Sequence, residues 1–439
     1  MSKLPDSSSL REDTRIILSG RDPHRYGGMV NPPVYHVSTV LAETFEQLKS
    51  RDHIEESGVQ EMAYGRKGTP TSWALENAVA ELEGGHRCLA FSSGLGAVTG
   101  ALLAFLKAGD HLLMTDSVYA PTRKFCNSLL KRFGVDTTYY DPLMGADISS
   151  LLRPNTGVVF TESPGSHTFE VQDIPAIAEA AHAHGAKVLM DNTWASPLFF
   201  KPFEHGVDVS IQAGTKYIVG HADAMLGTVT ATKEAWPALR DCTGHLGQCA
   251  GPDDLYLAQR GFRTLAVRLR QHQASALVIA EWLQSRPEVR QVLFPALTGA
   301  PGHEIWKRDF LGASGLFAFE LEPCTKEAVV TLLDGMRLFG MGYSWGGYES
   351  LLIPANVQNV RSAVPWRFEG PLLRIHIGLE DVDDLKDDLD NLTQDVSLFT
   401  YDRNVNDNSY EPPEYVFCRI CGAIKGHAGI HTCNVLINE

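Results

Sequence analysis

The order of apolar runs predicts an α/β protein, with a large domain on a mostly parallel sheet and a smaller α+β domain after it. Three observations carry this. Between residues 63 and 258, short β-rich runs alternate with helical patterns. Those runs are nearly continuous in apolar residues, as in strands covered on both faces. After Gly251-Pro252 a long helical stretch, Leu255 to Leu283, leads into a segment of mixed strands and helices that ends near residue 396.

Taken in order, residues 1–62 read as an extended N-terminal arm. Arg21-Asp22-Pro23 and Gly27-Gly28 punctuate it, and Asn31-Pro32-Pro33 forces extended backbone. The large domain, 63–258, then offers strands at Cys88 to Phe91, His111 to Met114, Gly157 to Phe160, Lys187 to Met190, Val207 to Ile211 and Gly227 to Val229. Helical patterns such as Ala97 to Leu106 and Ile174 to Ala183 separate them. The second domain, 259–396, has strands at Gly315 to Leu321 and Leu372 to Ile377. Residues 397–417 turn polar and rich in Asn, Asp and Pro, a linker composition, and a Cys/His-rich tail closes the chain at 439.

Composition narrows the function classes. With 44% hydrophobic and 21% charged residues the chain is an ordinary globular one. A formal net charge of −15 sets it against nucleic acid and anionic membrane as partners, though a small anion in a local pocket stays compatible. No apolar run is long enough to span a bilayer, and Met1 to Asp6 with the serines after it lacks a secretory core, so the expected location is the cytoplasm. Cys88, Cys126, Cys242, Cys249 and Cys324 are scattered as reduced thiols would be.

The chemistry gathers at strand ends. Val188-Leu189-Met190 runs into Asp191, and 25 positions later Ser210-Ile211-Gln212-Ala213-Gly214 runs into Thr215-Lys216. In parallel sheets ligands bind beyond the carboxyl ends of the strands. A lysine amine can form a Schiff base with the aldehyde of pyridoxal phosphate (PLP), while an acid keeps the pyridine nitrogen protonated. Ser92-Ser93-Gly94-Leu95-Gly96 lies between a strand and a helix, serving either as a tight turn or as a phosphate cradle of helix N-terminal amides. Tyr119 follows the next strand, either as a partly buried tyrosine or as a ring that stacks on the pyridine. Tyr64 and Arg66 offer a hydroxyl and a guanidinium suited to phosphate oxygens, or a plain surface loop. Arg374, inside the apolar run Leu372 to Ile377, needs a partner if buried: a substrate carboxylate or a structural carboxylate.

Together these residues resemble the transsulfuration family, the PLP-dependent enzymes of cysteine and methionine metabolism, over about Thr14 to Asp395. Within it, the octet Tyr343-Ser344-Trp345-Gly346-Gly347-Tyr348-Glu349-Ser350 is similar to the signature of the β-cleaving branch. The resemblance implies the PLP-dependent transferase fold type I and a carbon–sulfur β-lyase that cleaves L-cystathionine to homocysteine, pyruvate and ammonia. It also implies site roles. Lys216 carries the cofactor and acts as acid and base, Asp191 pairs with the ring nitrogen, and Tyr119 stacks on the ring. Gly94, Leu95 and Thr215 hold the phosphate, and Tyr64 and Arg66 reach into a neighbouring subunit's site in a homotetramer. Arg374, Ser344 and Trp345 orient the substrate carboxylate, so Lys216, Tyr119 and Ser344 form the catalytic set. The alternatives are a cysteine or S-alkylcysteine lyase, a γ-carbon lyase or synthase, or a non-catalytic regulatory module. One departure stands out: many relatives have serine where this chain has Ala213, which removes one phosphate donor.

The tail holds Cys418, Cys421, His427, His431 and Cys433 within 16 positions. Cys-x-x-Cys is the usual half of a tetrahedral zinc site, so the tail is either a structural zinc knuckle or a flexible segment with incidental thiols.

Overall fold

The computed structural model describes residues 9–51, 59–365, 368–397, 416–417 and 424–425. Cys418, Cys421, His427, His431 and Cys433 lie outside the described residues, as does most of the 397–417 segment. Among the described residues no cluster of three or more His, Cys, Asp or Glu is placed to hold a metal, and no helix is long and apolar enough to cross a membrane. The five described cysteines are free thiols.

Seven strands form the larger sheet: β1 (Arg87–Phe91), β2 (His111–Thr115), β3 (Asp136–Tyr140), β4 (Thr156–Glu162), β5 (Lys187–Asp191), β6 (Val209–Gln212) and β7 (Gly227–Ala231). Their order is β1-β7-β6-β5-β4-β2-β3, and only β7 runs against the rest. β2, β6 and β7 are buried at every position, as strands covered on both faces are. β3, with sequence Asp-Thr-Thr-Tyr-Tyr, escapes that reading because it is a half-exposed edge strand.

The helix Gly94–Phe105 starts where Ser93 Oγ accepts the Gly96 N–H at 3.1 Å, and it buries Ala97, Val98, Ala101 and Leu102 against the sheet. Small residues make this contact close, since a Cβ on Gly227 would lie 2.2 Å from the Ser93 carbonyl oxygen. The helix Ile174–Ala183 is likewise capped, by Asp173 Oδ1 on the Ala176 N–H. The N-terminal residues are less extended than expected. Helix Glu12–Leu18 buries Ile16, and Arg263 Nη1 donates to the Ile16 and Ser19 carbonyls at 2.7 Å each.

The long helical stretch is two helices, Pro252–Arg263 and Leu265–Gln284, with Thr264 out of helical geometry between them. The break fits the turn that follows Lys216. Gly261 sits so close that a Cβ there would meet the Val219 oxygen at 2.1 Å. Arg268 Nη2 then donates to the Tyr217 and Gly261 carbonyls, 2.8 Å each, and its Nε to Thr264 Oγ1 at 3.0 Å.

The smaller sheet is wholly antiparallel, in the order β10-β11-β9-β8, from β8 (Val289–Leu293), β9 (Leu316–Leu321), β10 (Leu351–Pro354) and β11 (Leu372–His376). One apolar core joins the two sheets. Trp194, three residues past the end of β5, packs edge-on against Phe294 and Phe310 and donates from Nε1 to the Leu316 carbonyl at 2.8 Å. Burying a side chain of that size contributes a few kcal/mol, roughly 1.5–3. It also fixes the smaller sheet relative to the end of β5.

Gly261→Ala forces the helix and the 217–220 turn apart, and overpacking of this kind costs about 1–3 kcal/mol. Urea unfolding monitored by circular dichroism should show a lower midpoint with an unchanged slope; an unchanged midpoint contradicts the close contact.

Candidate active site

β4 and β5 end side by side, with Glu162 and Asp191 in direct register. Asp191 Oδ1 accepts two hydrogen bonds from Thr193, from N at 3.0 Å and from Oγ1 at 2.5 Å. Thr193 Oγ1 in turn accepts the Ala213 N–H at 2.9 Å, so one hydroxyl ties the carboxylate to the turn that carries Lys216. Burial pushes Asp191 above the usual carboxylate range, while the Thr193 bonds and the Lys216 charge pull it down. Sequence reading missed Thr193. Its signal, a hydroxyl two residues past a strand-end acid, is common in loops.

Lys216 Nζ donates to Ser344 Oγ at 2.5 Å and lies 5.4 Å from the centre of the Trp345 ring. Burial, helped by the Arg374 charge, lowers the Lys216 amine to about 8, against a counter-pull from Asp191. Ser344 has a positive φ of 81°, a strained conformation for a residue with a side chain. Three contacts hold it there. Arg374 Nη2 donates to the Ser344 carbonyl at 3.0 Å, the Gly346 N–H donates to His376 Nε2 at 3.1 Å, and Gly346 (φ 87°) lies against the Lys216 backbone. His376, two residues along β11 from Arg374, was also missed; a histidine within an apolar strand carries no positional signal.

Tyr119 donates its N–H to Glu162 Oε2 at 2.8 Å, and the residue is 46% exposed. Its hydroxyl is held above the ordinary tyrosine range first by burial, then by Glu162 and Asp191, with Arg374 opposing. Nearby, Asp116 accepts the N–H groups of Ser362, Ala363 and Val364 and pairs with Arg123 at 2.5 Å, clamping the 362–364 segment to the end of β2.

At the helix Gly94–Phe105, Ser93 takes the Gly96 amide, which leaves those of Gly94 and Leu95 without an intrahelical acceptor. Ala213 faces this helix end, since a Cβ on Gly94 would lie 2.5 Å from the Ala213 Cβ. The Thr215 hydroxyl is bonded both ways to Leu226, donating to its O at 3.0 Å and accepting its N–H at 2.9 Å. It must release the Leu226 carbonyl before it can donate to a phosphate.

The structure therefore brings Lys216, Asp191, Tyr119, Ser344, Trp345 and Arg374 together. It does not bring Tyr64 and Arg66 to them within one chain. Those two line a separate cleft of about 880 Å³, beside Trp73, Arg240 and Gln248, where Arg66 Nη1 donates to the Gly244 carbonyl at 3.1 Å.

The residues fit PLP. Asp191 presents Oδ2 with no hydrogen bond among the described residues, a free acceptor for a ring N–H. The two open amides of Gly94 and Leu95 suit a phosphate. The Lys216 amine, at about 8, is neutral often enough near neutrality to attack an aldehyde.

The sequence profile described as Cys/Met metabolism PLP-dependent enzyme matches residues 13–393. The chain is similar to the cystathionine beta-lyase of Salmonella typhimurium, 48% identical over 86% of this chain and 96% of that protein. It is also similar to cystathionine beta-lyase MetC of Escherichia coli, 47% identical over 86% of this chain and 97% of that one. Among solved structures, the cystathionine gamma synthase of Xanthomonas oryzae pv. oryzae, in complex with aminoacrylate and cysteine, superposes with a TM-score of 0.80. It is 32% identical and covers 89% of this chain and 99% of its own.

Two outcomes follow from this geometry. The rate at which Lys216 in the cofactor-free protein condenses with an aldehyde should rise as pH passes about 8 and then level off, because the free amine is the reacting form. A rise continuing to about 10.4, the ordinary lysine value, contradicts the buried amine. Ala213→Ser restores a hydroxyl at the helix end and should tighten phosphate-bearing cofactor several-fold, about the worth of one hydrogen bond. Equal dissociation constants in a fluorescence titration refute it.

Proposed function

The chain belongs to the Cys/Met metabolism PLP-dependent enzyme family, and we propose that Lys216, held against the Ser344–Trp345 pair and faced by Asp191 and Arg374, performs its carbon–sulfur β-cleavage. The enzyme is a cystathionine β-lyase: L-cystathionine and water become homocysteine, pyruvate and ammonia. The observation that carries the assignment of residues is the 2.5 Å bond between Lys216 Nζ and Ser344 Oγ. It sets the octet that resembles the β-cleaving signature directly against the amine.

When bound, PLP supplies an electron-accepting ring that makes the substrate Cα proton removable and lets a thiolate leave Cβ. The remaining work falls to this chain's side chains. Arg374, whose Nη2 rests on the Ser344 carbonyl, offers its fork to the substrate α-carboxylate and so aims Cα at Lys216. Lys216 Nζ, lowered to about 8, takes the Cα proton and, as an ammonium, returns a proton to the departing sulfur. Ser344 Oγ holds the amine in place between these transfers. Asp191, held by two hydrogen bonds from Thr193 that favour its charged form, would take the ring N–H of the bound cofactor. Tyr119, anchored through its backbone, covers the ring face.

Tyr64 and Arg66 complete a partner subunit's site, so the active form is an assembly of copies, in our reading a tetramer working in the cytoplasm. The two side chains lie at a cleft away from their own Lys216, and this supports the reading. Retention of Lys216, Asp191 and Arg374 in one site argues against a purely regulatory module.

Incubation with L-cystathionine should yield pyruvate and homocysteine in equal amounts. Release of 2-oxobutyrate and cysteine marks γ-cleavage and contradicts the assignment. Lys216→Ala should lower kcat by at least about 10²–10⁴-fold, the range for a positioned acid–base group. The variant should still bind some PLP through the helix end and Asp191. Activity near the parent's rules Lys216 out.

A further inference from the structure

Glu162 takes no part in the chemistry above, yet it stands between two groups that do. It closes β4, opposite Asp191 on β5, and neighbouring strands of a sheet lie about 4.8 Å apart with paired side chains on one face. Its Oε2 accepts the Tyr119 N–H at 2.8 Å. Its own backbone is fixed, because Gln172 Nε2 donates to the Glu162 carbonyl at 2.7 Å and Tyr140 Oη donates to Gln172 Oε1 at 2.7 Å. We propose that Glu162 is a positioning residue that ties Tyr119 to Asp191 and does so without carrying a charge.

Two facts support the positioning part. Tyr119 as a residue is nearly half exposed, so packing alone does not fix it, and the Glu162 bond holds the backbone from which its ring projects. The same strand pairing fixes Glu162 to Asp191, so the group over the ring face and the group at the ring nitrogen share one anchor.

Two side-by-side carboxylates argue for the uncharged part. Like charges this close disfavour double ionisation, and the better-solvated member keeps the charge. Asp191 has two donors from Thr193 and the nearby Lys216, whereas Glu162 has the single Tyr119 amide. The groups facing Glu162 are Asp191 from β5, Tyr119 from the turn after β2, and Arg361 from the segment before β11. Arg361 is committed to Glu170 at 2.5 Å, and it also donates to Thr168. Burial and the Asp191 charge both push the Glu162 carboxyl well above its ordinary range. A neutral carboxyl still accepts the Tyr119 N–H through its carbonyl oxygen.

The inference rests on the placement of PLP at Lys216, Asp191 and Tyr119, and the parent holoenzyme checks that placement separately: no visible absorption band means that the underlying reading fails, whatever Glu162 does. Given the band, Glu162→Gln keeps a neutral acceptor of the same shape. It should match the parent in PLP affinity within about twofold, in visible circular dichroism, and in the pH midpoint of the band. Glu162→Ala removes the anchor and should weaken PLP binding by about tenfold and reduce the visible circular dichroism, because the ring over the cofactor loses its fixed direction. A midpoint displaced by about one unit or more in Glu162→Gln shows a working charge and overturns the proposal. Parent-like affinity and circular dichroism in Glu162→Ala also overturn it. If the alanine variant does not fold, the glutamine variant still decides the matter.

Discussion

The bond from Lys216 Nζ to Ser344 Oγ joins residues 128 positions apart and sets one edge of the smaller sheet's loops against the turn after β6. Each end is stiffened from behind. On the lysine side, Arg268 and Gly261 grip the 217–219 backbone, and Thr193 grips Ala213. On the serine side, Arg374 and His376 hold a segment that contains the strained Ser344. Strain of roughly 1–3 kcal/mol persists only where the surroundings over-determine a conformation, and such places cluster at active sites. Here the surroundings are the very residues that the chemistry uses.

The electrostatics of the site oppose those of the whole molecule. A chain with formal net charge −15 repels anions at long range, yet Lys216 and Arg374 face the same small space. Burial removes the water that would otherwise screen them, and the Arg374 charge then weakens the hold of Lys216 on its proton. Arg374 falls to about 10, its descent due first to burial, and stays charged, while Lys216 falls to about 8 and becomes usable as a base. An anionic substrate group is attracted by the guanidinium that remains, and the amine is left free to work.

Asp191 and Lys216 were legible in the sequence because each follows an apolar run, and strand ends are where parallel sheets bind ligands. The octet around Ser344 was legible only by resemblance, since nothing in its own pattern says that it meets a lysine in another sheet. Other features were hidden for physical reasons. β3 lies at an edge and is too polar to show as a buried strand. The break at Thr264 comes from a tertiary contact at Gly261, in a stretch whose local pattern stays helical. Thr193, Glu162 and His376 act through hydrogen bonds to backbone or to neighbouring side chains, and such bonds depend on which strands become adjacent. Strand order is a property of the folded sheet that local pattern does not contain. The tail's candidate metal ligands, Cys418, Cys421, His427, His431 and Cys433, stand outside both the family resemblance and the described residues.

The covalent attachment point tests the account most directly. Reduction of the holoenzyme with borohydride fixes the cofactor to whichever amine holds it, and peptide mass mapping then locates the added pyridoxyl phosphate. The account predicts a single labelled peptide with the mass increment at Lys216. A label on another lysine, or none after reduction of a coloured protein, contradicts it.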